Sequence, residues 1–271
     1  MIKTYIAIGI VCLLSLIFLH KYLYSNINSN INSNSNSNSN SNSNSNSNIP
    51  NVIYQTYKDK NVPKIVKERW LKFNPEYEYH LYDDDDCYDF LTKYYTKEYA
   101  DFFKYKIKDG PIKSDFWRVC ILYQFGGIYA DIDIVPHEPI KYFVDSDTTL
   151  YTCISDPKLD SNNLNPHFIA TIPKNKLILE CINVYMKEKI NTDYTYWGWS
   201  ITYILHNVIT KYTDIDKLNA GKYKIKDQVL QLSQEICPDH DIKTCFIKQD
   251  EKKIMNNRDS NLYNEITHEF I

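Results

Sequence analysis

Several absences narrow what this sequence can do. Lys and Arg together number 31 against 34 Asp and Glu, a formal charge of −3, so there is no basic surplus. Sequence-independent nucleic-acid binding needs such a surplus to neutralise phosphates, and no nucleic-acid partner is expected. No Asn-x-Ser/Thr triplet occurs anywhere, which removes N-glycosylation. No internal repeat is visible, and apart from one early stretch no apolar run approaches a membrane span. Asp83 to Asp86 form an acidic run without the spaced oxygens and glycine of a calcium loop, and they precede the helical pattern Tyr88, Phe90, Leu91, Tyr94. They read as the acidic start of a helix.

The early stretch is Tyr5–Leu19, uncharged, with Lys3 before it and His20-Lys21 after it. Tyr22-Leu23-Tyr24 extend it into an interface, and they occupy the positions where a cleavage site would need small residues. Residues 1–24 are therefore expected to be a transmembrane signal anchor, single-pass and type II. Residues 25–48 follow as a polar stalk, in which Asn32–Asn48 alternates Ser and Asn and has nothing apolar to bury. Residues 49–271 remain for one folded domain, expected in a secretory lumen of Golgi or endoplasmic-reticulum type, or in a viral assembly compartment. The 14% aromatic content, dominated by 24 tyrosines, reads as codon bias.

Cys12 falls in the apolar stretch, leaving six cysteines in the domain. Cys120 and Cys181 sit in helical apolar patterns and read as buried thiols. Cys237 and Cys245 flank a Pro-Asp-His-Asp turn and suit a small disulfide loop, whereas a zinc site built on them with His240 lacks a fourth ligand.

Along the domain, Ile49–Tyr57 reads as a first strand, Ile65–Phe73 as a helix and Tyr77–Leu81 as a half-buried strand. After Gly110-Pro111, Ser114 is placed to cap a buried helix from Asp115 to Phe125, ended by Gly126. Asp115 and Arg118 then share one helical face and should emerge at its edge. Ile128-Tyr129-Ala130 reads as a short strand carrying Asp131-Ile132-Asp133, whose period of two would put both carboxylates on one side. Strands are expected at Thr148–Ile154, Phe168–Ile172, Tyr223–Ile225 and Phe246–Ile247, and helices at Leu177–Lys187 and Ile201–Tyr212. The aromatic loop Trp197-Gly198-Trp199-Ser200 lies between those helices, and a polar tail with His268 ends the chain. The fold class is α/β with a largely parallel sheet.

Two same-side aspartates at a strand end can hold Mn²⁺ or Mg²⁺, which would take up charge on a departing diphosphate. The block from Lys113-Ser114-Asp115-Phe116-Trp117-Arg118 through Gly126-Gly127-Ile128-Tyr129-Ala130-Asp131-Ile132-Asp133 resembles the sugar-binding region of family 32 glycosyltransferases, which contain a DXD motif. Ile49–Thr56 is similar to that family's first strand. The resemblance implies a GT-A fold, a Rossmann-like nucleotide-diphospho-sugar transferase, with Mn²⁺ dependence and retention of anomeric configuration. It implies a nucleotide-sugar donor and a glycan or glycoconjugate acceptor. By position, Asp133 would bind metal directly, and Asp131 would reach the metal through water or the ribose. Asp115 and Arg118 would hold donor sugar and phosphate, Gln55 and Thr56 would lie near the nucleotide, and His268 would be a late metal ligand. Tyr54 stands where the family often has His, and Trp197-Gly198-Trp199-Ser200 replaces its usual Thr-Gly-Pro loop. Asp131-Ile132-Asp133-Ile134-Val135 also matches the nucleophile motif of haloacid-dehalogenase-like phosphohydrolases, but that nucleophile ends a first strand and here some eighty residues come first. A catalytically inactive scaffold of the same fold is the non-enzymatic alternative.

Overall fold

The computed structural model describes residues 48–158, 164–214, 219–238, 241–264 and 267–271. The expected anchor, the stalk up to residue 47 and His240 lie outside them. Among the described residues no helix is long and apolar enough to cross a membrane.

The chain alternates strand and helix through its first half. It runs β1 (Val52–Thr56), α1 (Lys64–Phe73), β2 (Glu78–Tyr82), α2 (Asp84–Tyr94), α3 (Lys97–Asp101), α4 (Gly110–Phe125), β3 (Gly127–Ala130) and β4 (Val135–Pro136). It continues with β5 (Leu150–Ile154), β6 (Leu164–Thr171), α5 (Lys176–Lys187), α6 (Tyr196–Trp199) and α7 (Ile201–Thr210). β7 (Gly221–Ile225), β8 (Gln228–Ile236), β9 (Phe246–Gln249), β10 (Lys252–Asn256), β11 (Tyr263–Asn264) and β12 (Glu269–Phe270) complete it.

Ten strands form one sheet in the order β2-β1-β3-β6-β5-β8-β9-β10-β4, with β7 also on β8. The expected predominance of parallel pairing does not hold. β1 is parallel to β2 and β3, and β5 to β8, whereas β6 runs antiparallel between β3 and β5, and the later strands pair antiparallel. The first three strands are joined through helices, which permits parallel neighbours, while the later strands return through shorter connections. β8 and β10 lie in the stretch that the sequence pattern left as loop and tail.

Alternation along the strands feeds two apolar layers. Tyr54, Tyr129, Leu150 and Ile169 face the layer of α2, α4, α5 and α7. Ile53, Ile128, Ala130, Tyr151 and Phe168 face the other, where Trp70 of α1 stacks on Phe168 at 6.0 Å between ring centres. α4 is apolar nearly all round because it is covered nearly all round. It starts at Gly110 with Pro111 in its first turn, so Ser114 lies inside the helix and does not cap it. Its end is fixed by two glycines. Gly126 and Gly127 have φ of +66° and +94°, and a β-carbon on Gly126 would come within 2.6 Å of the Pro173 backbone nitrogen. The Asp83–Asp86 run starts α2 as expected, Asp83 and Asp86 forming a reciprocal capping box. Cys237 and Cys245 form a disulfide, while Cys87, Cys120, Cys153 and Cys181 are buried thiols.

Candidate active site

The carboxyl ends of β1 and β3 open beside the start of α4, so side chains from three elements meet there. A cavity of about 720 Å³ occupies this position, and Thr56, Ser114, Asp115, Arg118, Asp131, Asp133 and His268 all line it. Those sequence candidates are brought together. Gln55 is not among the lining residues.

β3 stops at Ala130. Asp131 to Ile134 form a turn closed by the Ile134 amide donating to the Asp131 carbonyl at 3.2 Å. The two aspartates therefore share the cavity through a turn, and the period-two argument from a strand is corrected. Backbone restraints hold this turn from several directions. Gln55 Nε2 donates to the Asp131 carbonyl at 2.8 Å, and Gln55 Oε1 accepts from Tyr79 at 2.8 Å. With both ends of its amide engaged and no exposure, the Gln55 side chain holds the aspartate turn from β1. The Asp131 amide donates to the His167 carbonyl at 2.8 Å. Arg69, on α1, donates to the Ile132 carbonyl at 2.9 Å and pairs with Asp259 at 2.8 Å.

Arg118 is the electrostatic centre. It is 4% exposed, and one terminal nitrogen lies 2.8 Å from both Asp115 Oδ1 and Asp131 Oδ1. The other donates to the Pro166 carbonyl at 2.7 Å, and the guanidinium lies 4.3 Å from the centre of the Tyr129 ring. It is buried and held by protein partners, not displayed at a helix edge. Burial pushes the Asp115 carboxyl up, partly offset by Arg118 and by the Ile201 amide, which donates to its other oxygen at 3.0 Å. Asp131 remains about a third exposed toward the cavity, and Asp133 is nearly buried.

The Thr56 hydroxyl meets Ser114 at 2.8 Å and Tyr129 at 3.2 Å. His268 is exposed with φ of +54°. β11 and β12 pair around it, Lys58 bridges to Glu269 at 2.6 Å, and Tyr57 donates to the His268 carbonyl at 3.1 Å. Lys58, Lys108, Lys113 and Arg258 add positive side chains to the lining.

Sequence reasoning missed a second polar group in the same lining. Glu235, on β8, accepts from Asn165 at 2.9 Å, from Asn257 and from the Asp156 amide at 3.0 Å. Burial, reinforced by Arg118 and Arg258, pushes the His167 imidazole down to about 3, so it is neutral near pH 7. No local motif announces these residues, because β5, β6 and β8 bring them together from distant segments. Glu235, Cys237 and Cys245 cluster as metal ligands might be arranged, but the disulfide occupies both sulfurs.

Residues 59–156 match the family model of the glycosyltransferase sugar-binding region containing the DXD motif. The chain is similar to mannosyl phosphorylinositol ceramide synthase of Saccharomyces cerevisiae, 37% identical over 31% of this chain and 22% of that protein. It is 35% identical to the initiation-specific alpha-1,6-mannosyltransferase of the same yeast, over 34% of this chain and 21% of the relative. The match thus spans about a fifth of each relative's length. Among solved structures, PaToxG glycosyltransferase is 14% identical, with 60% of this chain and 68% of that chain covered at a TM-score of 0.45. Residues 59–156 therefore carry the sugar-binding region of the DXD-containing glycosyltransferases, the family that the Lys113–Asp133 block resembles.

Proposed function

We propose that this chain is a metal-dependent, retaining glycosyltransferase of GT-A type, moving a hexose from a nucleotide-diphosphate sugar to a glycan or glycoconjugate. Mannose is the first sugar to test, since the yeast relatives are named for mannosyl transfer. The observation that carries the reading is the Asp131–Asp133 turn, clamped through its backbone and lining a cavity with both aspartates. The proposal includes membrane attachment through residues 1–24, a stalk over 25–48 and a lumenal domain from residue 49.

Carboxylate oxygens from Asp131 and Asp133 are hard donors suited to Mn²⁺ or Mg²⁺, and His268 lines the same space. Such an ion would supply positive charge where the diphosphate leaves. The chain's own part is positional. Gln55, Arg69 and the His167 carbonyl fix the turn, Arg118 holds Asp131 by one oxygen, and Thr56 and Ser114 present hydroxyls to the donor side. Lys108 adds a positive side chain to the lining, while Lys58 and Lys113 are paired with Glu269 and Asp84. The aspartate turn follows β3, with β1 and β2 already formed in the same sheet, which supports transfer over a phosphohydrolase whose nucleophile ends a first strand.

The test is slow hydrolysis of nucleotide sugars carrying mannose, galactose or glucose, with and without Mn²⁺ or Mg²⁺. Metal-dependent release of nucleoside diphosphate is the expected result. Inertness toward every donor, together with phosphate release from an aryl phosphate, would overturn the reading.

A further inference from the structure

One segment of the cavity's rim combines a fixed backbone with an uncovered indole. Trp199 is buried, stacked on Phe102 at 5.3 Å and edge-on to Tyr194 at 5.0 Å, and its carbonyl accepts from Tyr185 at 2.8 Å. Two residues on, the Ile201 amide is held by Asp115 at 3.0 Å. Between these anchors and Thr195, the short helix α6 turns through Gly198, where an added β-carbon would approach Thr195 Oγ1 to 2.5 Å. Trp197 therefore stands on a backbone pinned from its carboxyl side, yet it is 65% exposed. Its aromatic neighbour is Tyr196, edge-on at 5.3 Å, and both rings line the cavity.

An indole left in water forgoes on the order of 2 kcal/mol of burial. Here it does so on a backbone held from its carboxyl side, which limits the backbone freedom to be lost when a ligand arrives. Tyr196 lies close enough to Asp115 and Asp131 for their charges to raise its phenol, after burial itself. The aromatic pair and the aspartate turn line the same cavity. Flat aromatic faces bind ligands that are apolar on one face and hydroxylated at the edge, as a pyranose ring is. Two hexoses must meet at this turn, and depth tells them apart. On the glycosyltransferase reading the donor's would lie inward with the nearly buried Asp133, which leaves the 65% exposed Trp197 to the second substrate.

We propose that Trp197, flanked by Tyr196, is the stacking platform for the pyranose ring of the acceptor. The proposal rests on the glycosyltransferase reading, and its test separates the two. Full-length protein and its Trp197→Ala and Trp197→Phe variants are assayed with methyl α-mannopyranoside as the acceptor probe, by transfer kinetics and by saturation-transfer NMR of direct binding. Trp197→Ala should raise the KM for the glycoside at least tenfold while kcat falls less than threefold, and Trp197→Phe should recover most of the loss. The saturation signal on the pyranose protons should fall in parallel. A rise in the donor's KM in place of the acceptor's overturns the proposal, as does glycoside binding that is unchanged in Trp197→Ala or absent from the parent protein. If the parent turns over no nucleotide sugar, glycosyl transfer fails on its own, and the NMR arm still decides the platform.

Discussion

At the scale of single residues, Arg118 holds the site together by charge. The i,i+3 spacing made its pairing with Asp115 legible, but nothing local showed that Asp131 would share the same nitrogen at 2.8 Å. Reading the pair at a helix edge implied that Arg118 could be removed without unfolding. The buried geometry says otherwise, because Arg118→Ala leaves Asp115 buried without its counter-charge. The expected loss is about 3–5 kcal/mol in a denaturant titration, the scale for breaking a buried pair from one side. Arg118→Lys should restore little, since an ammonium cannot reproduce the planar fork that reaches Asp115, Asp131 and Pro166 together. Asp133→Asn tests chemistry instead. It keeps shape and removes one charge, so turnover should fall by about 10²-fold or more in a Mn²⁺ titration, with circular dichroism unchanged. Near-normal turnover of the folded variant without metal would sink the metal role.

At the scale of elements, the passage from α4 to β3 determines where the aspartates sit. Gly126 and Gly127 both have left-handed φ, and a β-carbon on Gly127 would come within 2.9 Å of the Val52 carbonyl on β1. Gly127→Ala should therefore cost more than the roughly 1 kcal/mol of an ordinary substitution and lower activity with it, measured as unfolding midpoint and donor hydrolysis on one preparation. Asp83→Ala removes half of a capping box and should cost about 0.5–2 kcal/mol without touching the cavity's chemistry. The helices were readable because apolar periodicity marks α1, α5 and α7, and because Gly110-Pro111 and Gly126 bound the apolar run of α4. Asp131-Ile132-Asp133 misled because alternating polarity after a strand looks like more strand, and only the Ile134–Asp131 hydrogen bond reveals a turn. β8 went unread although its hairpin partner β7 was expected, because its parallel neighbour β5 lies far earlier in the chain, and pairing decides such a segment more than propensity does.

At the scale of the molecule, the second polar wall and the clamp on the aspartate turn depend on long-range contacts. Arg69 and Asp259 are 190 residues apart, and no sequence window joins them. Burial makes the thiols a global probe. It pushes Cys87, Cys120 and Cys153 well above the usual thiol range and raises Cys181 as well, so none carries appreciable thiolate near neutral pH. A disulfide reagent added to residues 49–271 should titrate none of these four thiols in the native state and all four in denaturant. Fast reaction of any one under native conditions would contradict the packing described for it.

The same long-range clamp has a consequence for biosynthesis. The helix and the turn that carry Asp115, Arg118, Asp131 and Asp133 leave the ribosome well before Asp259, which holds Arg69, and before Glu269, which meets Lys58 across 211 positions. A nascent chain can thus pair β1, β2 and β3 while Arg69 still lacks Asp259, and while β5, already beside β6, waits for β8 to cover its other edge. During that interval apolar strand edges are uncovered, the condition under which chaperones engage. Chains arrested before Asp259 should be cut by protease in the segment joining β1 to α1, and become resistant once Glu269 has emerged from the ribosome.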